Sequence, residues 1–295
     1  MAQLRIFDDL KRELVFARAP ERIVSLVPSD TLTIAALGCG GRLVGRTDYC
    51  ELPPEVAGLP AVGGTKNPKI DAILALSPDL VVANQEENTR GDLEKLAQAN
   101  IRVFIAFPKR VADGIAHMAR LARILDVARD PGAMSLVKEG YENLRAAEAA
   151  RASLRPVPTF CPIWMKPLMT IHGATFISDM LALCGAENVF AGRERRYPLA
   201  ADLGASERRV EAAGRDTRYP RITLDEVVER RPELILLPSE PHPFSEDDAT
   251  TFRALDTPAS ARDAVAFVDG KDICWYGARS VEGIQRLRAA IDRYR

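Results

Sequence analysis

Residues 71–83 read Asp-Ala-Ile-Leu-Ala-Leu-Ser-Pro-Asp-Leu-Val-Val-Ala, and residues 225–237 repeat the pattern as Asp-Glu-Val-Val-Glu-Arg-Arg-Pro-Glu-Leu-Ile-Leu-Leu. In both copies a stretch of helical character leads to a proline, which ends the helix because it lacks an amide hydrogen and disfavours helical geometry in the preceding residue. The aliphatic run that follows is typical of a strand buried on both faces of a parallel sheet. One such unit in each half predicts two similar α/β lobes, with a ligand cleft between them.

The composition is that of a globular protein large enough for two domains. The chain has 295 residues, of which 47% are hydrophobic and 27% are charged. Its net charge of −1 gives no general attraction for nucleic acid or an acidic membrane surface. The apolar runs are only as long as strands, so we expect no membrane-spanning helix.

The first residues and the cysteines both bear on the cellular compartment. Charged residues between Asp8 and Glu13 interrupt the apolar core that a secretory signal would need. This predicts a cytoplasmic location, or a periplasmic or extracellular one if the natural chain begins earlier. The five cysteines are scattered and form no CxxC motif, which favours reduced thiols. Cys39 and Cys184, at matching helix ends, are expected to pack as apolar residues.

The order of the elements predicts an N-terminal lobe over residues 1–129 and a C-terminal lobe over residues 156–295. Residues 4–16 are expected to form a short hairpin, and Ser29 or Asp30 is expected to cap the first helix of the N-terminal lobe. The intervening residues 130–155 are rich in Ala, Glu, Arg and Leu and predict one helix, about 30 Å long if 20 residues are helical. We interpret it as a rigid connection between the lobes; a surface helix within one large domain is the alternative.

Several segments resemble the class III substrate-binding proteins, the helical-backbone receptors for cobalamin, iron siderophores and metals of ABC importers. The resembling segments are Arg22-Ile-Val-Ser-Leu-Val-Pro-Ser29, Val62-Gly-Gly-Thr65, Leu76-Ser-Pro-Asp-Leu-Val-Val82, Tyr219-Pro-Arg-Ile-Thr-Leu-Asp-Glu226 and Arg231-Pro-Glu-Leu-Ile235. The resemblance implies two Rossmann-like lobes with mostly parallel sheets, joined by one long rigid helix. It also implies a non-catalytic binding protein whose ligand is a corrinoid, a haem or a ferric siderophore.

The resemblance also assigns roles to single positions. Tyr49 matches a tyrosine that contacts the corrin ring in the cobalamin-binding branch, whereas Thr65 stands where that branch has a tryptophan. Arg90 occupies the position of a glutamate that docks the permease, and Leu32 replaces an acidic residue. The resemblance also implies an ABC permease as a partner. Glu87 and Glu240, which follow the two repeated strands, are the candidate docking residues. Solvated carboxylates are the alternative.

Ligands of parallel α/β lobes bind beyond the carboxyl ends of the strands, which nominates the loops at those ends. Aromatic and thioether side chains there offer a flat apolar surface for a large planar ligand. Arginines offer an anion site, Arg279 at the start of the last helix and Arg196 in the arginine-rich segment 192–221. The proposed ligand contacts are Ser29, Tyr49, Thr65, Lys66, Glu87, Trp164, Met165, Arg196, Tyr197, Glu240, His242, Phe244, Trp275, Tyr276 and Arg279. For the aromatic residues, packing in the core is the alternative. Most arginines of 192–221, Arg193 among them, are expected to lie in a solvated surface loop.

Catalytic motifs such as GxSxG, HExxH and GxxxxGK[ST] do not occur in the sequence. Of the three histidines, His117 is expected to be a surface or boundary residue of a helix, and His172 with His242 would form only part of a metal site. We therefore expect no catalytic residues and no side-chain metal site. A chelatase-like enzyme using His172, His242 and Glu240, and a sensor or scaffold that keeps the fold without the ligand, are the alternative functions.

Overall fold

The computed structural model describes residues 3–207 and 214–295, which form two compact units. Unit 1 comprises Met1–Glu142 and Trp275–Val281, and unit 2 comprises Asn143–Cys274 and Glu282–Arg295. Each unit contains one four-stranded parallel sheet with helices. The predicted fold class, two α/β lobes with parallel sheets, is confirmed. In the described part of the chain no helix has the length and apolar character needed to cross a membrane.

Unit 1 begins with a hairpin and continues with alternating strands and helices. Its strands are β1 Leu4–Phe7, β2 Glu13–Phe16, β3 Ile23–Ser25, β4 Leu43–Arg46, β5 Leu80–Asn84 and β6 Val103–Ala106. Its helices are α1 Pro28–Ile34, α2 Ile70–Ala75, α3 Arg90–Gln98 and α4 Val111–Ile124, followed by α5 Pro131–Arg151, in which the division between the units falls.

Unit 2 has the same strand order as unit 1. Its strands are β7 Val157–Phe160, β8 Pro162–Met165, β9 Leu168–Thr170, β10 Ala186–Asn188, β11 Leu234–Pro238 and β12 Val265–Val268. Its helices are α6 Phe176–Leu183, α7 Leu199–Asp202, α8 Leu224–Arg230, α9 Glu246–Arg253, α10 Pro258–Ala261, α11 Gly270–Cys274 and α12 Ala278–Asp292. The sheets run β4-β3-β5-β6 and β10-β7-β11-β12, so the second strand in sequence lies at one edge and the fourth at the other.

The repeated segments form corresponding elements of separate sheets. In the first copy α2 leads to β5, and in the second α8 leads to β11, in each case through a turn that contains the proline. Every residue of β5 and of β11 is buried, whereas the edge strands β4 and β10 alternate between buried and more exposed residues. The aliphatic runs are therefore buried on both faces because each is an inner strand with helices on its sheet.

The predicted hairpin over residues 4–16 is present as β1 and β2, and it protects an edge of the first sheet. The amide of Asp9 donates to the carbonyl of Ile105 at 3.1 Å, and the Asp9 carboxylate accepts from the amide of Phe107 at 2.6 Å. These contacts occupy backbone groups of β6 that an exposed edge strand would leave unpaired.

One helix, α5, occupies most of the predicted segment 130–155. Pro131 starts it, which suits the first turn because that residue needs no amide hydrogen bond there. A Cβ at Gly140 would lie 3.3 Å from side-chain atoms of both Ile115 and Met118, so the absence of a side chain lets α5 pack closely on α4. The role of this helix as a rigid connection stays a prediction.

Two expectations about α1 and α4 were wrong. The helix α1 begins at Pro28 after Val27, and neither Ser29 nor Asp30 caps it. Asp30 is instead fully buried, where its carboxylate contacts His117 Nε2 at 2.7 Å. His117 is fully buried as well, stacked on Phe104 with ring centroids 5.4 Å apart, so it is a core residue of unit 1. The contact between the Asp30 carboxylate and the His117 imidazole offsets the free-energy cost of removing both groups from water.

The segment Trp275–Val281 is held in unit 1 by this same buried centre. The hydroxyl of Tyr276 donates to the Asp30 carboxylate at 2.8 Å, and Asn84 Nδ2 donates to the same hydroxyl at 3.3 Å. Beside it, Gly277 has φ +77°, and a Cβ there would lie 2.4 Å from Thr33 Oγ1. Because a side chain would be strained and would clash, only glycine lets the segment approach α1 this closely.

The cysteines expected to pack as apolar residues do so, since Cys39 and Cys184 are both buried. Burial raises the pKa of the Cys184 thiol to about 12, and it does the same for Cys161. These thiols therefore stay protonated in the folded protein and behave as small apolar side chains.

We expect Tyr276→Phe to destabilise the protein by about 1–3 kcal/mol, because the buried Asp30 carboxylate loses a hydrogen-bond donor. Burial, and secondly the charge of Asp30, raise the pKa of Tyr276 well above its usual value. Its contribution to stability is therefore present below about pH 10, where an unfolded tyrosine ionises, and is lost as the pH rises further. Urea unfolding at pH 7 and pH 10.5 measures both effects. Tyr49→Phe, at a tyrosine that is 63% exposed, is the control, and equal losses in both variants would contradict the assignment.

Candidate functional site

The carboxyl edge of the first sheet is organised by Asn88, a residue that the sequence analysis did not select. Its side-chain amide donates to the carbonyls of Leu26 at 3.3 Å and Thr65 at 2.9 Å, and its Oδ1 accepts from the amide of Asn84 at 2.8 Å. The residue is only 4% exposed. Asn88 therefore joins the loops that follow β3, β4 and β5. The sequence signal that could have identified Asn88 is its position, since it is a polar residue shortly after a buried strand.

Five predicted ligand contacts of unit 1 lie at this edge, four on the joined loops and Ser29 in the first turn of α1, which follows β3. Ser29 and Thr65 are buried, whereas Tyr49, Lys66 and Glu87 are exposed. Lys66 Nζ donates to the carbonyl of Glu86, and the amide of Glu87 donates to Asn84 Oδ1 at 3.2 Å. The structure thus brings the loops of four of these residues and the start of α1 to one edge of the sheet, and three of the five side chains are exposed there. Whether they contact a ligand stays a prediction.

The remaining predicted contacts of unit 1 are Trp275, Tyr276 and Arg279. Trp275 is 7% exposed and Tyr276 is 4% exposed. The carbonyl of Trp275 accepts from the Ser280 hydroxyl at 3.2 Å, and Arg279 is partly buried near the start of α12. Both aromatic side chains are therefore packed in the core of unit 1, which was the alternative interpretation, and their ligand contact remains a prediction.

In unit 2 the predicted residues Trp164, His242 and Phe244 lie together. The Trp164 and His242 ring centroids are 5.5 Å apart, and those of His242 and Phe244 are 4.6 Å apart at an interplanar angle of 82°. Trp164 remains 42% exposed, although its Nε1 donates to the carbonyl of Lys166 at 3.1 Å. The indole is therefore oriented by a hydrogen bond and a ring contact while part of it faces solvent.

The imidazole of this group is held by a carboxylate. His242 Nε2 lies 3.3 Å from Asp248 Oδ2. Hydrogen bonding from the Ser245 amide, and then from His242 and the Ser245 hydroxyl, lowers the pKa of Asp248. The carboxylate is therefore ionised at neutral pH and fixes the ring beside Trp164. Asp248 lies three residues into α9, where it also completes the helix cap with Ser245.

The strand that carries Trp164 belongs to a small sheet of three chain segments. Within β8 and β9, Trp164 pairs with Met169 and Met165 pairs with Leu168. Met169 in turn pairs with Arg221 on the following segment. The predicted contact Met165 is partly buried, and so is Met169, a second thioether that the strand-end rule selects. Arg221 was not selected from the sequence, because its pairing with Met169 links residues distant in the chain.

The arginine-rich segment is ordered around a buried ion pair. Arg193 is 5% exposed; its guanidinium contacts the Asp202 carboxylate at 3.1 Å and the Glu226 carboxylate at 2.8 Å. Asp202 also accepts from the amides of Arg196 and Arg221, both at 2.8 Å. For Arg193 the expectation of a solvated loop was therefore wrong, because its charge is neutralised inside the unit.

Two predicted contacts on this segment take different positions. The side chain of Arg196 is exposed, whereas Tyr197 is partly buried and donates its hydroxyl proton to the carbonyl of Asp216 at 3.0 Å. The guanidinium carbons of Arg195 and Arg215 lie 5.0 and 4.8 Å from the Tyr197 ring centroid. Tyr197 is thus fixed by cation–π contacts. Other arginines noted in the segment, Arg208 and Arg209, lie outside the described residues.

Glu240 has partners within unit 2. Its carboxylate lies 3.6 Å from Lys271 Nζ, and it accepts from the Cys274 thiol at 3.1 Å. His172, the other histidine considered for a metal site, accepts from the amide of Ala174 at 3.0 Å. Within residues 3–207 and 214–295, no group of three or more His, Cys, Asp or Glu side chains is placed to hold a metal ion.

Two parallel-sheet units whose strand-end loops carry exposed aromatic and charged groups are the architecture of a ligand-binding protein. The sequence profile of the periplasmic binding protein family matches residues 23–251, and the chain belongs to this family. It is a binding protein rather than an enzyme, and the class III resemblance is confirmed. The chelatase-like alternative therefore has no support.

Two sequence relatives of the chain are vitamin B12-binding proteins. The chain is 27% identical to a vitamin B12-binding protein of Vibrio parahaemolyticus over 236 residues, which is 79% of this chain and 76% of the relative. It is also 27% identical to a vitamin B12-binding protein of Yersinia pestis over 221 residues, 75% of this chain and 70% of the relative.

Solved structures show the same fold at lower identity. The periplasmic vitamin B12-binding protein BtuF of Vibrio cholerae superposes with a TM-score of 0.75 at 22% identity, covering 93% of this chain and 98% of that one. The periplasmic haem-binding protein RhuT of Roseiflexus gives 0.74 at 20% identity with the same coverage. Because the family and these structures are periplasmic, the predicted cytoplasmic location is not supported.

We expect Arg193→Met to destabilise the protein by about 3–5 kcal/mol, because Asp202 would stay buried without its cation. The matched control is Arg196→Met, the same substitution three residues later, where the structure shows a contact to Asp202 only through the backbone amide. We expect the control to change stability by less than about 0.5 kcal/mol. Urea unfolding followed by circular dichroism measures both, and similar losses would contradict the buried ion pair.

Proposed function

We propose that this protein reversibly binds a bulky planar metal chelate of the cobalamin, haem or ferric-siderophore type. Family membership supports binding without catalysis, and the relatives named above bind vitamin B12 or haem. These relatives do not by themselves decide between the ligand types for this chain. The choice therefore depends on the chemistry of the surface that its own residues form.

The observation that carries the proposal is the Trp164 surface of unit 2. The indole is 42% exposed, so a ligand that stacks on it would remove a large apolar ring surface from water, which is favourable. Here the hydrogen bond to Lys166 and the contact with the His242 ring hold it at the surface. A planar conjugated ligand that stacks on such a ring gains about 1 kcal/mol beyond simple burial. Because the ring is already oriented, little ordering cost opposes binding.

We expect Trp164→Leu to weaken ligand binding by about fivefold or more, because the flat stacking surface is lost. The measurement is an absorbance titration of purified protein with haem and with cobalamin. The matched control is Phe267→Leu, since Phe267 is an aromatic residue of unit 2 with nearly the same exposure, 43%, on strand β12.

We expect the control to bind as the unchanged protein does. If neither ligand, nor a ferric siderophore, shifts its spectrum or raises the melting temperature, the proposed function fails, and the sensor or scaffold alternative remains. If the two variants weaken binding equally, the Trp164 surface is not the contact.

The partner that fits a periplasmic binding protein is an ABC permease, with Glu87 and Glu240 as the docking residues. Both residues follow the third strand of their sheet, β5 in unit 1 and β11 in unit 2. Glu87 is exposed, and Glu240 is partly buried with its carboxylate near Lys271. Equivalent positions on two similar units would present one carboxylate each to cationic side chains of the permease. The same role places the protein in the periplasm.

We expect the double variant Glu87→Gln with Glu240→Gln to lower cellular uptake of the ligand by more than any change in its ligand affinity accounts for, because the charges that attract the permease are removed. Uptake of labelled ligand by cells that depend on this protein measures the effect. The control is Glu94→Gln with Glu246→Gln, which removes two exposed carboxylates elsewhere on the units. An unchanged uptake rate in the first variant would rule out these docking residues.

A further inference from the structure

The small sheet that carries Trp164 has one buried and one partly exposed face. The amide of Thr170 donates to the carbonyl of Pro220 at 3.1 Å, and the amide of Ile222 donates to the carbonyl of Leu168 at 3.0 Å. These hydrogen bonds add residues 218–222 to the β8–β9 hairpin as a third, antiparallel segment. Leu168 is 9% exposed and Ile222 is 3% exposed, so their face packs against the unit.

Direct partners across antiparallel strands place their side chains on the same face. Trp164 pairs with Met169, and Met169 pairs with Arg221. The three side chains therefore form one row on the face opposite Leu168, and each is exposed or partly exposed. Adjacent strands are about 4.8 Å apart, so the row spans roughly 10 Å from the indole to the arginine.

The charge at the end of this row has no partner in the described chain. Among residues 3–207 and 214–295, no carboxylate forms an ion pair with the Arg221 guanidinium, and Arg221 Nε is buried with no hydrogen-bond partner. Two other arginines of the segment are paired, Arg193 with Asp202 and Arg218 with Asp216 at 2.6 Å. Arg195 also has a buried Nε without a hydrogen-bond partner, but its guanidinium lies over the Tyr197 ring. The carboxylate of Asp202 binds Arg221 only through its backbone amide, at 2.8 Å. The backbone of Arg221 is thus held in place while its side-chain charge is left for an outside anion.

A guanidinium beside an aromatic ring is suited to a ligand with two features. The flat ring system would stack on Trp164 and contact the Met169 thioether, and a carboxylate at its rim would accept hydrogen bonds from Arg221. A carboxamide in the same place would gain less, because it is neutral and offers one acceptor oxygen, whereas a carboxylate has a charge opposite to that of Arg221 and two oxygens for a bidentate contact.

We propose that Arg221 is a specificity-determining residue, and that it selects a planar macrocycle bearing a free carboxylate over one whose side groups are amides. This inference rests on the proposed function and narrows the range of ligands that it allows. Among the candidate ligands, haem carries carboxylates at its rim, whereas cobalamin carries carboxamides. The sequence relatives reported above are vitamin B12-binding proteins, so the choice of haem rests on Arg221 and not on sequence similarity.

The experiment compares three probes, haem, haem dimethyl ester and cobalamin, by absorbance titration in one buffer. We expect the unchanged protein to bind haem at least tenfold more tightly than the ester or cobalamin. Arg221→Met should weaken haem binding about tenfold and leave ester binding unchanged, because only the charged interaction is removed. Arg221→Lys should retain part of the preference, since it keeps the charge but loses the bidentate geometry.

The control is Arg262→Met, which removes a guanidinium of unit 2 that is already paired with Glu233, the residue preceding β11. It should bind all three probes as the unchanged protein does, and melting curves should show that every variant is folded. Equal binding of haem and its ester, tighter binding of cobalamin, or equal loss of both haem probes in Arg221→Met would overturn the role of Arg221 and leave the proposed function standing. Absence of binding by any probe or by a ferric siderophore would overturn both.

Discussion

The burial of inner strands on both faces constrains the rest of each unit. Along β5 and β11 every residue is buried, and the one polar side chain, Asn84, lies at the end of β5, where hydrogen bonds satisfy it. Polar and charged residues are therefore confined to the strand ends and the loops. Because the strands of each sheet are parallel, all carboxyl ends meet at one edge, and the loops that follow them are neighbours. The position of the candidate surfaces is a direct consequence of this packing.

Loops gathered at an edge still need to be ordered, and each unit uses a buried polar side chain to do this. Asn88 in unit 1 bonds to three loop segments, and Asp202 in unit 2 accepts from one guanidinium and two backbone amides. A buried polar group without partners is costly, so each of these residues fixes all its partners together. Loops ordered in advance lower the cost of binding, which is consistent with a receptor rather than with a site assembled by its ligand.

How far the sequence could predict this structure depended on the distance between interacting residues. The hairpin, the repeated helix–strand units and α5 follow from local patterns and were predicted. Trp164 and His242 were both predicted as ligand contacts because the strand-end rule selects their segments of the chain. That rule does not predict that their two rings contact each other. The interpretations of Asp30 and His117 were wrong because their contact joins residues 87 positions apart, and the Asp30 contact with Tyr276 joins residues 246 apart. Local capping preference had no means of anticipating these partners.

The sequence by itself determined the fold class, since a buried run of aliphatic residues after a helix-ending proline has few other uses. It also led to the prediction that ligand contacts come from strand-end loops. Only the tertiary structure decided which side chains share a surface. The row of Trp164, Met169 and Arg221 depends on the register of antiparallel pairs, in which a shift of one residue would turn each side chain to the opposite face. Packing also decided the state of two arginines. It placed Asp202 and Glu226 beside the guanidinium of Arg193, which is therefore a neutralised core residue. It placed no carboxylate of the described chain beside the guanidinium of Arg221.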